Sequence, residues 1–147
     1  MRNRPPTYNE RIYAPYKIAA LVEVLAGQGI APARSLQSTG VDESRIYDAT
    51  ALTSIRPYVE VCGNALALAA DPATPFLTGS RLHLSAYGMY GYALMSCLQM
   101  RDYFLLGVKY HSLATPTLSI EWSERDGKAV WTFPDAIVCN DSPDIRR

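Results

Sequence analysis

The chain has 147 residues, 48% of them hydrophobic and 19% charged, which is enough for one domain with one core and short for two. Fourteen Lys and Arg balance fourteen Asp and Glu, so no bulk positive field is available to hold a phosphate backbone, and nucleic-acid binding by this chain alone is disfavoured. Its three cysteines, Cys62, Cys97 and Cys139, form no CxxC pair. They read as reduced thiols of a cytoplasmic protein, and without a run of about 18 apolar residues or a signal-peptide pattern no membrane association is expected.

Residues 1–15 carry Pro5, Pro6 and Pro15 among mixed charges, a composition that neither sustains a helix nor offers much to bury, and they read as a flexible N-terminal arm ahead of a domain over residues 16–147. From Tyr16 the pattern changes. Ile18, Leu21, Val22 and Leu25 fall at i, i+3, i+4 and i+7, which predicts an amphipathic helix that Gly27 and Gly29 end. A shorter helix is expected from Pro32 to Gly40, and Asp42 is placed to cap a short turn running to Tyr47. Ser54 then reads as the N-cap of a second long helix, with Pro57 in its first turn and Tyr58, Cys62, Ala65 and Ala69 along one face until Asp71-Pro72 breaks it. The stretch RLHLSAYGMYGYALMSC, Arg81 to Cys97, reads as an apolar helix holding three tyrosines. Gln99 to Leu113 reads as another, with Tyr103, Leu106, Tyr110 and Leu113 on one stripe and Phe104 and Val108 widening it.

The period then switches from 3.6 to 2. Leu118, Ile120 and Trp122 alternate with polar residues, and after SERDGK the run AVWTF continues the alternation, predicting a β-hairpin with Gly127 in a four- or five-residue loop. Two strands alone are marginal in water, so the hairpin must pack on the helices, with Trp122 and Trp131 as core or cross-strand partners. The final DSPDIRR resembles the start of a further helix, and the domain is expected to be truncated at this end. The fold class these elements define is α+β, a helical N-terminal half followed by further helices and an antiparallel hairpin.

No phosphate-binding glycine loop, nucleophile elbow or metal-ligand spacing occurs, so no cofactor, no metal and no catalytic residue is expected, and the chain reads as a non-enzyme. Two competing readings remain. One is a small enzyme using His83 or His111. The other is direct DNA binding through residues 30–47, where Leu36, Gly40, Val41 and Ile46 are spaced as in a helix-turn-helix, although Asp42, Glu43 and Asp48 against Arg45 would set net negative charge against phosphates.

Three segments taken together, KIAALVEVLAGQGIAPARSLQSTGVDESRIYD, SIRPYVEVCGNALALAADPATPFLTGSRLHLSAYGMYGYALMSC and MRDYFLLGVKYHSLATPTLSIEW, resemble the N-terminal sensory domain of AraC-type bacterial transcription regulators, in the subgroup labelled arabinose-binding. The likeness runs from about Lys17 to Phe133, and its most specific part is the block from Gly79 to Ser96. Members often carry Ser-Pro where this chain has Ser96-Cys97-Leu98. The resemblance implies effector sensing and homodimerisation here, with DNA contacts made by a C-terminal helix-turn-helix domain absent from this sequence.

An effector pocket needs apolar walls and a few oriented polar groups, and tyrosine supplies both. Candidate ligand-binding residues are therefore Arg81, His83, Tyr87, Tyr90, Tyr92 and Tyr110. Alternatives stay open for each: the tyrosines also suit core or dimer surface, Arg81 and His83 could cap backbone groups rather than hold an anion, and His111 suits a helix C-terminus.

Overall fold

The computed structural model describes residues 7–48, 50–115 and 119–134. The chain falls into two compact units, one formed by Asn9–Ala86 and the other containing Tyr87 onward.

In the first unit, α1 (Tyr16–Gly27) follows the expected apolar spacing and is buried well beyond one stripe. Ala19, Ala20 and Val24 are buried along with Ile18, Leu21, Val22 and Leu25, because it packs against three partners: α2 (Pro32–Ser35), α3 (Ile55–Leu68) and α4 (Thr74–Ser80). The core gathers Ile18, Leu21, Val22 and Leu25 with Leu36, Ile46, Val61 and Ala65. After Gln28 the chain reverses through Gly29 at φ +83°. The Gly29 N–H donates to Ala26 O at 3.0 Å and the Ile30 N–H to Leu25 O at 3.0 Å, the paired bonds of a Schellman stop, and Ile30 packs onto the core. Space around Gly29 is open, so the left-handed backbone alone demands glycine. Gly29→Ala should therefore cost about 1 kcal/mol, while Gly27→Ala, at an ordinary helical φ with open space, should be neutral or slightly stabilising. Urea unfolding of the two variants checks the contrast.

The helix expected from Pro32 to Gly40 is a single turn, because Ser38 (φ +63°) and Gly40 (φ +68°) both leave helical backbone. Asn64 of α3 holds that turn, its Nδ2 donating to Ser35 O and Gln37 O, each at 2.9 Å. Asp42 caps as expected, accepting from the Ser44 N–H at 2.9 Å, but what it caps is the three-residue 3-10 turn Glu43–Arg45. A helix-turn-helix needs a second helix here, and the described residues form none. Within residues 9–15 of the expected N-terminal arm, Tyr13 and Thr53 exchange backbone hydrogen bonds of 3.0 and 2.7 Å, and Arg11 Nε donates to Leu52 O at 3.1 Å.

α4 was not expected, since Asp71-Pro72 read as the break that ends the preceding helix. Pro75 sits in the first turn, where its missing N–H costs nothing. Asp71 organises the entry, its carboxylate accepting from the Ala73 N–H at 2.8 Å and its carbonyl from Thr74 Oγ1 at 2.7 Å.

The second unit contains α5 (Gly88–Met95), α6 (Met100–Tyr110) and strands β1 (Glu121–Arg125) and β2 (Lys128–Thr132). The stretch from Arg81 to Cys97 is thus not one helix. A 3-10 turn occupies Leu84–Tyr87 and Gly88 takes φ +58°, so helical geometry starts only beyond it. α6 ends at Tyr110 and a 3-10 turn continues through Leu113. The strands pair antiparallel with Trp122 opposite Trp131, and the connection is shorter than expected: Asp126 (φ +51°) and Gly127 (φ +70°) alone form it, the two-residue turn that an Asp-Gly pair favours. The hairpin packs on α6 as the sequence requires. Phe104 places its ring 5.7 Å from that of Trp122 and 5.1 Å from that of Trp131. Leu118, Cys139 and the DSPDIRR segment lie outside the described residues.

Candidate functional site

An open cleft of about 650 Å³ lies between α1, α3 and α4 in the Asn9–Ala86 unit, within the usual range of about 300–1,000 Å³ for small-molecule sites. One wall is the α3 stripe of Tyr58, Cys62, Ala65 and Ala69; Leu21 of α1 and Pro75, Thr78 and Leu82 from the α4 region face it. The space exists because the ALALAA run supplies methyl groups where larger side chains would close the gap between helices.

The walls are apolar and their polar groups are few. Thr74 and Thr78 spend their hydroxyls on backbone carbonyls, Thr78 Oγ1 donating to Thr74 O at 2.9 Å. Tyr58 and Cys62 remain as polar groups on the α3 wall, and Asp71, whose carboxylate accepts from the Ala73 N–H, borders the cleft beyond it. Lys17, one helical turn before Leu21 on α1, places Nζ 5.7 Å from the Tyr58 ring centroid, a cation-π distance. Burial lowers the Lys17 ammonium to about 8, against a smaller opposing effect of Cys62. Burial also raises the Cys62 thiol, partly offset by its hydrogen bond with Tyr58 and by the Lys17 charge, so this free thiol stays protonated at neutral pH and is a poor nucleophile.

The Lys17 shift predicts a pH dependence. The unfolded chain binds the lysine proton up to about pH 10.5 and the folded chain only to about 8, so stability should rise with pH across that window. Burial also raises the Cys62 thiol and brings the Tyr13 hydroxyl to about 12, shifts of opposite consequence that set in above about pH 9 and pH 10, where the unfolded thiol and tyrosine begin to ionise, so the rise is steepest between pH 8 and 9. Lys17→Met should abolish the rise between pH 8 and 10 and stabilise the chain at pH 7 by about 1–2 kcal/mol, allowing for partial solvent screening. Chemical denaturation at stepped pH measures it.

The residues singled out in the sequence lie elsewhere. Arg81 is the C-cap of α4, and its Nη1 donates to Glu23 Oε2 at 3.2 Å in a solvent-exposed pair. His83 is exposed. Neither lines the cleft, although Leu82 between them does. Tyr90 donates its hydroxyl to Gly107 O at 3.0 Å, tying α5 to α6; Tyr87 meets it edge-on at 6.4 Å, and burial raises the Tyr90 hydroxyl. Tyr92 and Tyr110 are exposed. His111 sets Nδ1 2.8 Å from Val108 O at the end of α6. The structure thus brings Tyr87 and Tyr90 together and leaves the others apart. Tyr58, Cys62 and Lys17 were missed as candidates: the first two were read as a packing stripe, and the signal that they border a space was the small size of the residues below them.

Among the described residues no group of three or more His, Cys, Asp or Glu is placed to hold a metal, and no helix is long and apolar enough to cross a membrane.

Residues 29–144 match the family described as the arabinose-binding domain of AraC transcription regulator, N-terminal. The chain is 27% identical over 121 residues to uncharacterised HTH-type transcriptional regulators of Mycobacterium bovis and Mycobacterium tuberculosis, covering 82% of this chain and 35% of each relative. It is 24% identical over 110 residues to the ornithine utilization regulator of Pseudomonas aeruginosa, covering 75% of this chain and 32% of that protein. The chain therefore spans about a third of the length of these relatives. No solved structure matches it.

Proposed function

We propose that this chain, which belongs to the family of arabinose-binding N-terminal domains of AraC transcription regulators, binds a small-molecule effector in the cleft between α1, α3 and α4. The observation that carries this reading is the cleft itself: largely apolar walls that include the Tyr58 ring, with the Lys17 ammonium 5.7 Å from the centroid of that ring. Such walls suit a largely apolar molecule with an acceptor group for Lys17. They suit sugars poorly, because each buried hydroxyl would need a partner and the polar groups of the lining are few. The role is recognition in the cytoplasm and not catalysis.

The effector would act by differential affinity. If the regulator has two arrangements, binding shifts their balance by no more than the ratio of its affinities for them. DNA is contacted by a helix-turn-helix domain outside this chain, as the names of the mycobacterial relatives suggest. Self-association into a homodimer completes the reading. Its support is α5, where Met89, Tyr92 and Met95 recur at helical spacing on an exposed apolar face. Met95→Glu should leave the fold intact and shift sedimentation of the chain toward monomer.

The test of effector binding is thermal unfolding against a panel of fatty acids, aromatic acids, sugars and amino acids. A ligand at a hundredfold excess over its Kd adds about 2.7 kcal/mol, a rise of several degrees for a chain of this size. Stabilisation by an apolar acid that Lys17→Met weakens supports the reading. Stabilisation by sugars alone would contradict it.

A further inference from the structure

A second cleft in the Asn9–Ala86 unit, about 480 Å³, is more polar than the first and shares no residue with it. Its walls are the chain leading into α1, the turn at residues 40–45, and the segment that opens α3. Two guanidiniums border it. Arg11 commits Nε to Leu52 O, which leaves its terminal nitrogens available, and neither Arg11 nor Arg45 has a carboxylate within ion-pair distance among the described residues.

The start of α3 is the other wall. This helix is 14 residues long, so its first amides carry the partial positive charge of a helix N-terminus. Ser54 occupies the N-cap with extended backbone, yet its side chain makes no capping hydrogen bond. It is only 8% exposed and it lines the cleft. A buried serine hydroxyl in the N-cap position ordinarily bonds the amide two or three residues on, and here Pro57 has removed the amide three residues on. The hydroxyl is left without that bond, on a residue that lines the cleft. Two carboxylates interact with the Arg45 charge, Asp42 of the lining and Asp48 beside it; each is engaged locally, Asp42 by the Ser44 amide and hydroxyl at 2.9 and 2.8 Å and Asp48 by those of Thr50 at 2.8 and 2.6 Å.

We propose that this cleft binds a small oxyanion, a carboxylate or a phosphate, gripped by Arg11 and Arg45 and received by the Ser54 hydroxyl at the start of α3. Guanidinium matches both groups because its paired N–H donors align with two oxygens at once. The site is independent of the effector reading, and either can fail alone.

Isothermal titration of the 147-residue chain with inorganic phosphate and, separately, with succinate tests it, each at an ionic strength matched with chloride to remove screening effects. Saturable binding is expected, weakened about tenfold or more in Arg45→Gln, as the loss of one charge-assisted bond implies. Asp42→Asn, which can still cap the turn, should tighten it. Arg11→Gln also releases the Leu52 carbonyl, so its result counts only if its unfolding midpoint in chloride matches wild type, and Arg45→Gln decides otherwise. Binding of phosphate alone assigns a phosphate ligand, and of succinate alone a carboxylate. No saturable heat with either anion, binding that Arg45→Gln leaves unchanged, or weaker binding in Asp42→Asn would overturn the proposal.

Discussion

Replacing Leu25 by alanine should destabilise the chain by about 3–4 kcal/mol, a large part of the 5–15 kcal/mol that a typical domain has. Leu25 is 0% exposed, on the one helix that packs against α2, α3 and α4 together. Truncation there removes the transfer free energy of the lost methyl and methylene groups and opens a hole that three helices cannot all relax to fill. The contrast is Leu98→Ala. Leu98 is 99% exposed between α5 and α6, and its loss should change stability by no more than about 0.5 kcal/mol. Denaturant unfolding of both variants, read as a shift in midpoint at unchanged slope, gives the comparison. A Leu25→Ala variant as stable as wild type would mean that α1 is not the centre of this core.

The second large effect is on binding. Ala69 follows α3 with extended backbone (φ −75°, ψ 126°) and lines the apolar cleft. Phenylalanine is compatible with that backbone, and its ring would occupy space the effector needs. Ala69→Phe should weaken effector binding by about a hundredfold, the cost of a steric clash worth roughly 3 kcal/mol, while leaving the unfolding midpoint of the free chain close to wild type. Tyr90→Phe supplies the converse. It removes a hydroxyl that ties α5 to α6, so it should lower stability by about 1 kcal/mol and leave effector affinity unchanged.

Much of the fold was legible wherever one local rule acted alone. The spacing of Ile18, Leu21, Val22 and Leu25 marks α1 almost to the residue, because a helix with a dense apolar pattern and a glycine stop has no competing conformation. The alternation around Trp122 and Trp131 marks the hairpin for the same reason, and the register places those two residues opposite each other. Legibility failed where two rules competed. In the segment from Asp71 to Ser80 the prolines masked α4, since a proline in the first turn and one that breaks a helix look alike in sequence. In the segment from Arg81 to Cys97 the apolar pattern suggested one helix, but the left-handed backbone at Gly88 splits it, and glycine is compatible with either outcome.

The candidate site was less legible than the fold, for a physical reason. Tyrosines attract attention in sequence because they carry a hydroxyl on an apolar ring, yet a hydroxyl is most economically satisfied by a nearby backbone carbonyl, as Tyr90 does with Gly107. A cleft depends instead on what is missing. Ala65, Ala69 and Ala70 border a space only because α1 and α4 approach from the other side, and that approach is tertiary. Lys17 illustrates the same limit. Alone it is a charge on the first turn of a helix, and its lowered proton affinity arises from burial beside residues some forty positions later.

The central claim is that the effector lies between α1, α3 and α4. It is tested most directly by recording backbone amide shifts of the isotope-labelled chain while titrating the panel compound that most raises its unfolding midpoint. The account predicts that the largest shifts fall on Leu21, Tyr58, Cys62, Ala69 and Thr78, and that Ala69→Phe removes them. Shifts concentrated on Tyr87, Tyr90 and Tyr92, with the cleft residues unmoved, would contradict it.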